Sequence, residues 1–230
     1  MFRKITQKQR HAAIADLIHD STPRLSFFAL VAMSVLMATL GLLIDNASII
    51  IGSMLIAPIL SPILSLAMGV VMSDLMLVSR AIWTLGKSLL LGIVLAAVAT
   101  VFVSESTRVI GDEILSRTLP SLVFFVIAFI AGLAAAFARI DPDLSETLPG
   151  IAISVALIPP LAVVGIGIAL LNWGMISGAL AMVAVNIFGI VFAAMLVFSM
   201  MNLYADRGAA RRAARAEDRA LEKELNGKTS

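Results

Sequence analysis

The sequence contains no cysteine. Disulfides, a thiolate nucleophile and any Cys-based metal site are therefore excluded. Histidine is nearly as scarce: the only two, His11 and His19, lie in the amino-terminal tail. Charge is missing from long stretches, and residues 25–44, 46–73, 88–104, 118–138 and 147–205 hold no Asp, Glu, Lys or Arg. Serines are present there, but no histidine or acid stands beside them to activate a nucleophile, pair carboxylates or hold a catalytic metal. HExxH, a Walker loop and a Rossmann glycine pattern are all absent; Gly165-x-Gly167 reads as helix packing. The expectation is a protein that is not an enzyme, with no cofactor and no metal site. Proton carriers commonly use an intramembrane carboxylate or histidine, and these runs supply neither.

What is present is apolar. Of the 230 residues, 60% are hydrophobic and 14% charged, with a mean hydropathy of +1.02, where soluble domains are about half apolar and a quarter charged. Runs of about 20 apolar residues can cross a bilayer as helices. The reading is an all-α polytopic membrane protein with six spans: Leu25–Ile44, Ile49–Met72, Ala81–Val103, Leu119–Ala138, Leu148–Leu171 and Gly174–Leu203. The third includes Lys87 near one end, where its ammonium can reach the headgroups. Trp83, Trp173 and Tyr204 fall near span ends as interfacial anchors.

Six spans put both tails on one side. Of the 17 basic residues, only Arg108 and Arg117 then fall opposite. The positive-inside rule places both tails in the cytoplasm and the protein in the cell (inner) membrane. The first 24 residues are polar and do not form a cleavable signal. Both tails are expected to be helical. Residues 1–24 offer Ile5, Ala12, Leu17 and Ile18 as an apolar stripe ending at Ser21-Thr22-Pro23; residues 206–230 alternate charge with Ala and Leu. These tails read as solvated or membrane-skimming helices, or as contacts for anionic lipid headgroups or another subunit.

The second and fifth spans share a pattern. Ile56-Ala57-Pro58-Ile59 and Ile158-Pro159-Pro160-Leu161 align at a shift of 102 residues (56 to 158). The chain then divides into three-span halves, 25–103 and 119–205, whose odd number of crossings makes them inverted repeats. In a continuous helix, Pro58, Pro62, Pro159 and Pro160 would free the carbonyls four residues before them. Each also pushes its predecessor out of helical geometry. A free carbonyl in hydrocarbon costs several kcal/mol and must find a donor, water or an ion. One reading is two repaired kinks; the other is two broken spans facing a midplane cavity. Ser53, Ser61, Ser65 and Ser154 stand nearby, with Asn46 at the mouth of the second span and Asn186 within the sixth.

The stretch DNASIIIGSMLIAPILSPILSLAMGVVMSD, residues 45–74, resembles the signature of the bacterial and archaeal membrane proteins grouped as domain of unknown function 389. Ile51, Gly52, Ser53, Met54, Leu55, Ile56, Ala57, Pro58, Pro62 and Ile63 fit that signature, while Ile59 stands where Leu is more usual. ALIPPLAVVGIGIAL, residues 156–170, resembles the second family motif, and the likeness covers roughly 20–205. It implies the architecture and supplies no activity. Some relatives carry a soluble domain before the membrane region; here a short tail stands in that place.

The expected function is that of a transporter or channel for a small solute or inorganic ion. The prolines Pro58, Pro62, Pro159 and Pro160 would shape the break, and Asn46, Ser53, Ser61, Ser154 and Asn186 would touch the solute. Asp45 and Glu146, at span mouths, are either helix caps or gate charges. Arg139-Ile-Asp-Pro-Asp143 reads as a charged turn. The competing reading is a membrane scaffold or sensor acting through its charged tails. Partners are expected to be the lipid bilayer and further copies of the chain, with no nucleic acid.

Overall fold

The computed structural model describes residues 7–140, 157–201 and 203–227, and every regular element among them is helical. The amino-terminal helix α1, Gln7–Asp20, buries Ile14, Leu17 and Ile18. Ala12 is exposed, so the apolar stripe runs through Ile14, which has the correct helical spacing from Leu17 and Ile18; Ile5 lies outside the described residues. The Ser21 and Thr22 hydroxyls donate to the Ile18 carbonyl at 3.0 and 2.8 Å, and Pro23 has no amide with which to continue.

Helix α2, Leu25–Leu43, is the expected first span. The second is split into α3, Ala47–Ile56, and α4, Leu60–Val71, which meet at 52°. Ala57 is extended at φ −76°, ψ 121°, as a residue before proline should be. Pro62 is the third residue of α4. A first turn has no intrahelical donors to lose, so proline is tolerated there. Helix α5, Leu75–Phe102, begins six residues before the expected Ala81. The sequence reading stopped at Arg80; the helix continues through it because its guanidinium donates to the Thr22 hydroxyl at 2.8 Å and pairs with Asp218 at 3.0 Å. Lys87 places Nζ 4.8 Å over the Trp83 ring. Trp83 and Trp173 are exposed; the side chain of Tyr204 lies outside those described.

The connection 104–121 carries a short helix, α6, Asp112–Leu115, which the sequence did not suggest. Then come α7, Leu122–Ile140; α8, Ile158–Ala169; α9, Trp173–Met200; and α10, Arg207–Gly227. Helices α2, α5, α7 and α9 are long and apolar enough to cross a membrane, and the bent α3–α4 pair makes a fifth candidate. The expected fifth span is described only from Leu157 onward, so six spans are not reached among the described residues. Arg139 ends α7 in an ion pair with Asp20; Asp143 and Glu146 lie outside the described residues.

Matching lengths recur. Helices α2 and α7 each have 19 residues, α4 and α8 have 12, and α5 and α9 have 28. The turns match as well: Ser73 and Leu171 have φ 50° and 54°, and the Asp74 and Asn172 amides donate to Gly69 and Gly167 at 2.9 and 2.8 Å. The structural shift is therefore 98 residues (74 to 172). It sets Pro62, not Pro58, against Pro160, each the third residue of its helix. The shift of 102 matched similar apolar letters; the shift of 98 matches helix starts and stops.

The core forms around α8, whose residues Ile158–Gly167 are all buried. A Cβ on Gly165 would lie 2.6 Å from the Ile93 carbonyl oxygen, and one on Gly132 would lie 2.7 Å from the Ile190 Cα. Glycine at these positions allows α8 to lie against α5 and α7 against α9. Helices α1 and α10 pack together at one end of the molecule. At the other end, the Val109 amide donates to Leu43 at 2.7 Å, closing the loop 104–121 over α2.

Candidate functional site

The break between α3 and α4 is the centre of the site. Its prolines remove donors where α4 has no use for them. The acceptors on the α3 side remain, and Ser34 of α2 meets one of them: its hydroxyl donates to the Ser53 carbonyl at 2.6 Å. Ser53 donates its own hydroxyl to Ile50 at 2.6 Å. Both serines are 0% exposed. Ser34 was not singled out from sequence, because the bond crosses between helices 19 positions apart.

From the tail end, an open cleft of about 270 Å³ reaches the break. His19, Asp20, Thr22 and Arg24 form its polar end, and Pro58 and Ser61 line it at the break. Charged groups tie the polar end to both neighbouring elements. Asp20 pairs with Arg139; His19 and Arg24 reach Glu217 of α10 at 2.9 and 2.6 Å. Burial pushes the Glu217 carboxyl up, but the hydrogen bonds and charges of His19 and Arg24 outweigh this and leave it below its ordinary value.

The other expected residues are dispersed. Asn46 caps α3, its side chain accepting from the Ile49 amide at 3.2 Å. Asp45, at φ 53°, accepts from the Glu113 amide at 3.0 Å. Its carboxylate lies against Gly111, where a Cβ would clash at 2.2 Å, so it fastens the loop at the far end. Pro62 is buried in the first turn of α4, and Pro159 and Pro160 in that of α8. Asn186 is buried within α9. At the shift of 98 its counterpart is Ser88, also buried, whose hydroxyl donates to Thr84 at 2.7 Å. The sequence held no signal for Ser88: a shift of 102 pairs Asn186 with Thr84, and the spacing of 98 comes from the helix bounds. Ser154 and Glu146 lie outside the described residues. Of the expected set, Pro58 and Ser61 share the cleft.

Asp74 is a second polar centre, at the tail end. It caps α5 by accepting from the Met76 amide at 3.1 Å, its side chain is 0% exposed, and it is paired with Arg211 and, at 3.5 Å, Arg207 of α10. Burial raises its carboxyl; the bond and charge of Arg211 and the amides of Met76 and Leu77 prevail and hold it below the usual aspartate value. The charged carboxyl tail is thus docked on α1 and on the α4–α5 turn, with Ala210 and Ala214 buried.

These features define a helical protein built from membrane-length apolar helices, one of them broken. The family model described as domain of unknown function 389 matches residues 54–192, so the chain belongs to that family. It is similar to the uncharacterized protein MJ0678 of Methanocaldococcus jannaschii, with 29% identity over 174 residues, covering 74% of this chain and 52% of that one. The chain thus spans about half the length of the curated relative it matches. No solved structure matches it.

Proposed function

We propose that the protein is a membrane transporter or channel for a small solute or inorganic ion, working through the broken α3–α4 span. The observation that carries this reading is the cleft joining polar groups at the tail end to Pro58 and Ser61. The cleft, lined also by Ser26, Phe27 and Leu30, brings polar groups next to a break in a membrane-length helix, which a merely kinked helix does not need. The matched helix lengths support a second element of the proposal, that the halves are inverted repeats. The α4–α5 turn places Asp74 beneath α10, whereas α8 leads into α9, whose Gly178 lies against the Thr118 carbonyl of the opposite loop. The basic tails favour a cytoplasmic face of the cell membrane with anionic lipid nearby. Five or six helices enclose little space, which favours a homo-oligomer. No catalysis is proposed.

The test is flux of neutral solutes and inorganic ions into proteoliposomes. Pro58→Ala combined with Pro160→Ala should strongly reduce flux while leaving the protein folded. Unchanged flux would overturn the broken-span pathway.

A further inference from the structure

The open cleft of about 270 Å³ collects donors that nothing in the protein uses. Arg24, on its wall, gives one nitrogen, Nη2, to Glu217 at 2.6 Å. Its Nε is shut off from solvent and has no partner. Ser26 and Ser61 also line the cleft, and neither hydroxyl has a hydrogen-bond partner among the described residues. The buried hydroxyls of Thr39, Ser88 and Thr100, by contrast, each donate to the carbonyl four residues back at 2.7 Å. The acids at the cleft are already matched: Asp20 by Arg139, and Glu217 by Arg24 and His19. What these pairs leave over is the field of two helix starts. Ser26 and Ser61 are each the second residue of a helix, α2 and α4. Neither helix has a side-chain cap or an acid in its first turn, whereas Asn46, Asp74 and Asn172 cap α3, α5 and α9. First-turn amides have no intrahelical acceptor, and a helix amino end carries about half a positive charge.

We infer that the cleft binds a phosphate group, held by the Arg24 guanidinium and the hydroxyls of Ser26 and Ser61, with the starts of α2 and α4 supplying positive field. The inference rests on the broken-span reading and names its solute class, because the second helix start exists only where the span is interrupted. The chemistry follows from the donors. They come from three chain segments: the residue before α2, the first turn of α2 and the first turn of α4. An anion with several acceptor oxygens can meet them together, and a single-atom halide cannot. A planar guanidinium also matches phosphate oxygens with more than one of its nitrogens. Phe27 and Leu30 add apolar wall beside these donors, so the group can arrive free or as the ester of a phospholipid headgroup. Both present the same oxygens.

The test is thermal unfolding of the full chain in detergent, with sodium phosphate titrated against sodium chloride at equal ionic strength. A ligand bound by the native state raises the midpoint with concentration. The expected result is a saturable rise in phosphate, its apparent affinity weakened at least about tenfold by Arg24→Gln and less by Ser61→Ala. Glu217→Gln separates binding from tethering, since it breaks the same ion pair but leaves the guanidinium in the cleft; the phosphate effect should persist or strengthen. If Arg24→Gln fails to fold, equilibrium binding of radiolabelled phosphate to the unaltered protein should saturate, and it should not weaken in Glu217→Gln. A parallel titration with phosphatidic acid in mixed micelles assigns the source: the tighter of the two ligands, inorganic phosphate or phosphatidic acid, is the one the cleft takes. Equal midpoints in phosphate and chloride with no response to phosphatidic acid would overturn the site, as would a phosphate effect that survives Arg24→Gln or is lost equally in Glu217→Gln. Phosphate binding without flux of any solute would retain the site and remove the transport reading; flux of other solutes with no phosphate binding would do the reverse.

Discussion

The turn joining α4 to α5 and the turn joining α8 to α9 share a backbone and differ in chemistry. Both place a left-handed residue before a side chain that caps a 28-residue helix. In the first, that side chain is Asp74, wholly buried beneath Arg211 and Arg207. In the second it is the exposed Asn172, accepting from the Met175 amide at 3.1 Å. Capping treats Asp and Asn alike. A buried carboxylate, however, needs cations, or it costs several kcal/mol, and the basic helix α10 supplies them at the tail end. The comparison teaches that one turn geometry accepts either residue, while the element packed over the turn decides which one carries charge.

The largest effect should come from Asp74→Ala. It removes a cap, worth about 1 kcal/mol, together with a charged anchor worth about 1.5–3 kcal/mol. Asn172→Ala should cost the cap alone, about 1 kcal/mol. Unfolding of the two variants in detergent measures the difference, and equal losses would erase the contrast between the turns. Asp74→Asn comes next, since it imitates Asn172. It should preserve the cap but release α10, read as faster proteolysis of residues 207–227 with little change in the membrane-length helices.

Acid should separate the two turns further. Asp74 and Glu217 are held below their ordinary values. The α10 docking they support is fully present above the unfolded carboxylate range, about 3.9–4.3. It is lost as pH falls through the lowered folded values. A pH series of α10 proteolysis follows this, and the Asn172 turn should be indifferent to it. The smallest effect belongs to Asn172→Asp, an exposed charge at a helix start, which should shift stability by about 0.3–1 kcal/mol in the favourable direction. A large loss would mean that the far end is more buried than its exposure indicates.

The legible parts of the fold were those governed by local chemistry. Helix α2 follows from an uncharged apolar run, and the Ala57–Ile59 break from proline geometry. The Ser34–Ser53 bond was not legible, because nothing local tells a serine whether to bond its own helix or a neighbour. Nor was the start of α5, because Arg80 is a plausible helix stop until Asp218 and Thr22 are placed beside it. The two tails each looked helical, but their docking on one another depends on pairs such as His11 and Asp206, 195 positions apart and separated by 2.9 Å.

Composition and order of residues were enough to predict apolar membrane-length helices, a helix disturbed at Pro58 and a basic carboxyl-terminal helix, because each depends on bonds and sterics within a few residues; whether Pro58 kinks or breaks its span was left open by them. Three-dimensional packing decided the rest: the 98-residue spacing of the two matching turns, the cleft at Pro58 and Ser61, the bond from Ser34 to the Ser53 carbonyl, and the burial of Asp74. Each of these requires groups from distant positions to meet, and the free energy of their meeting depends on what else is excluded from the same space.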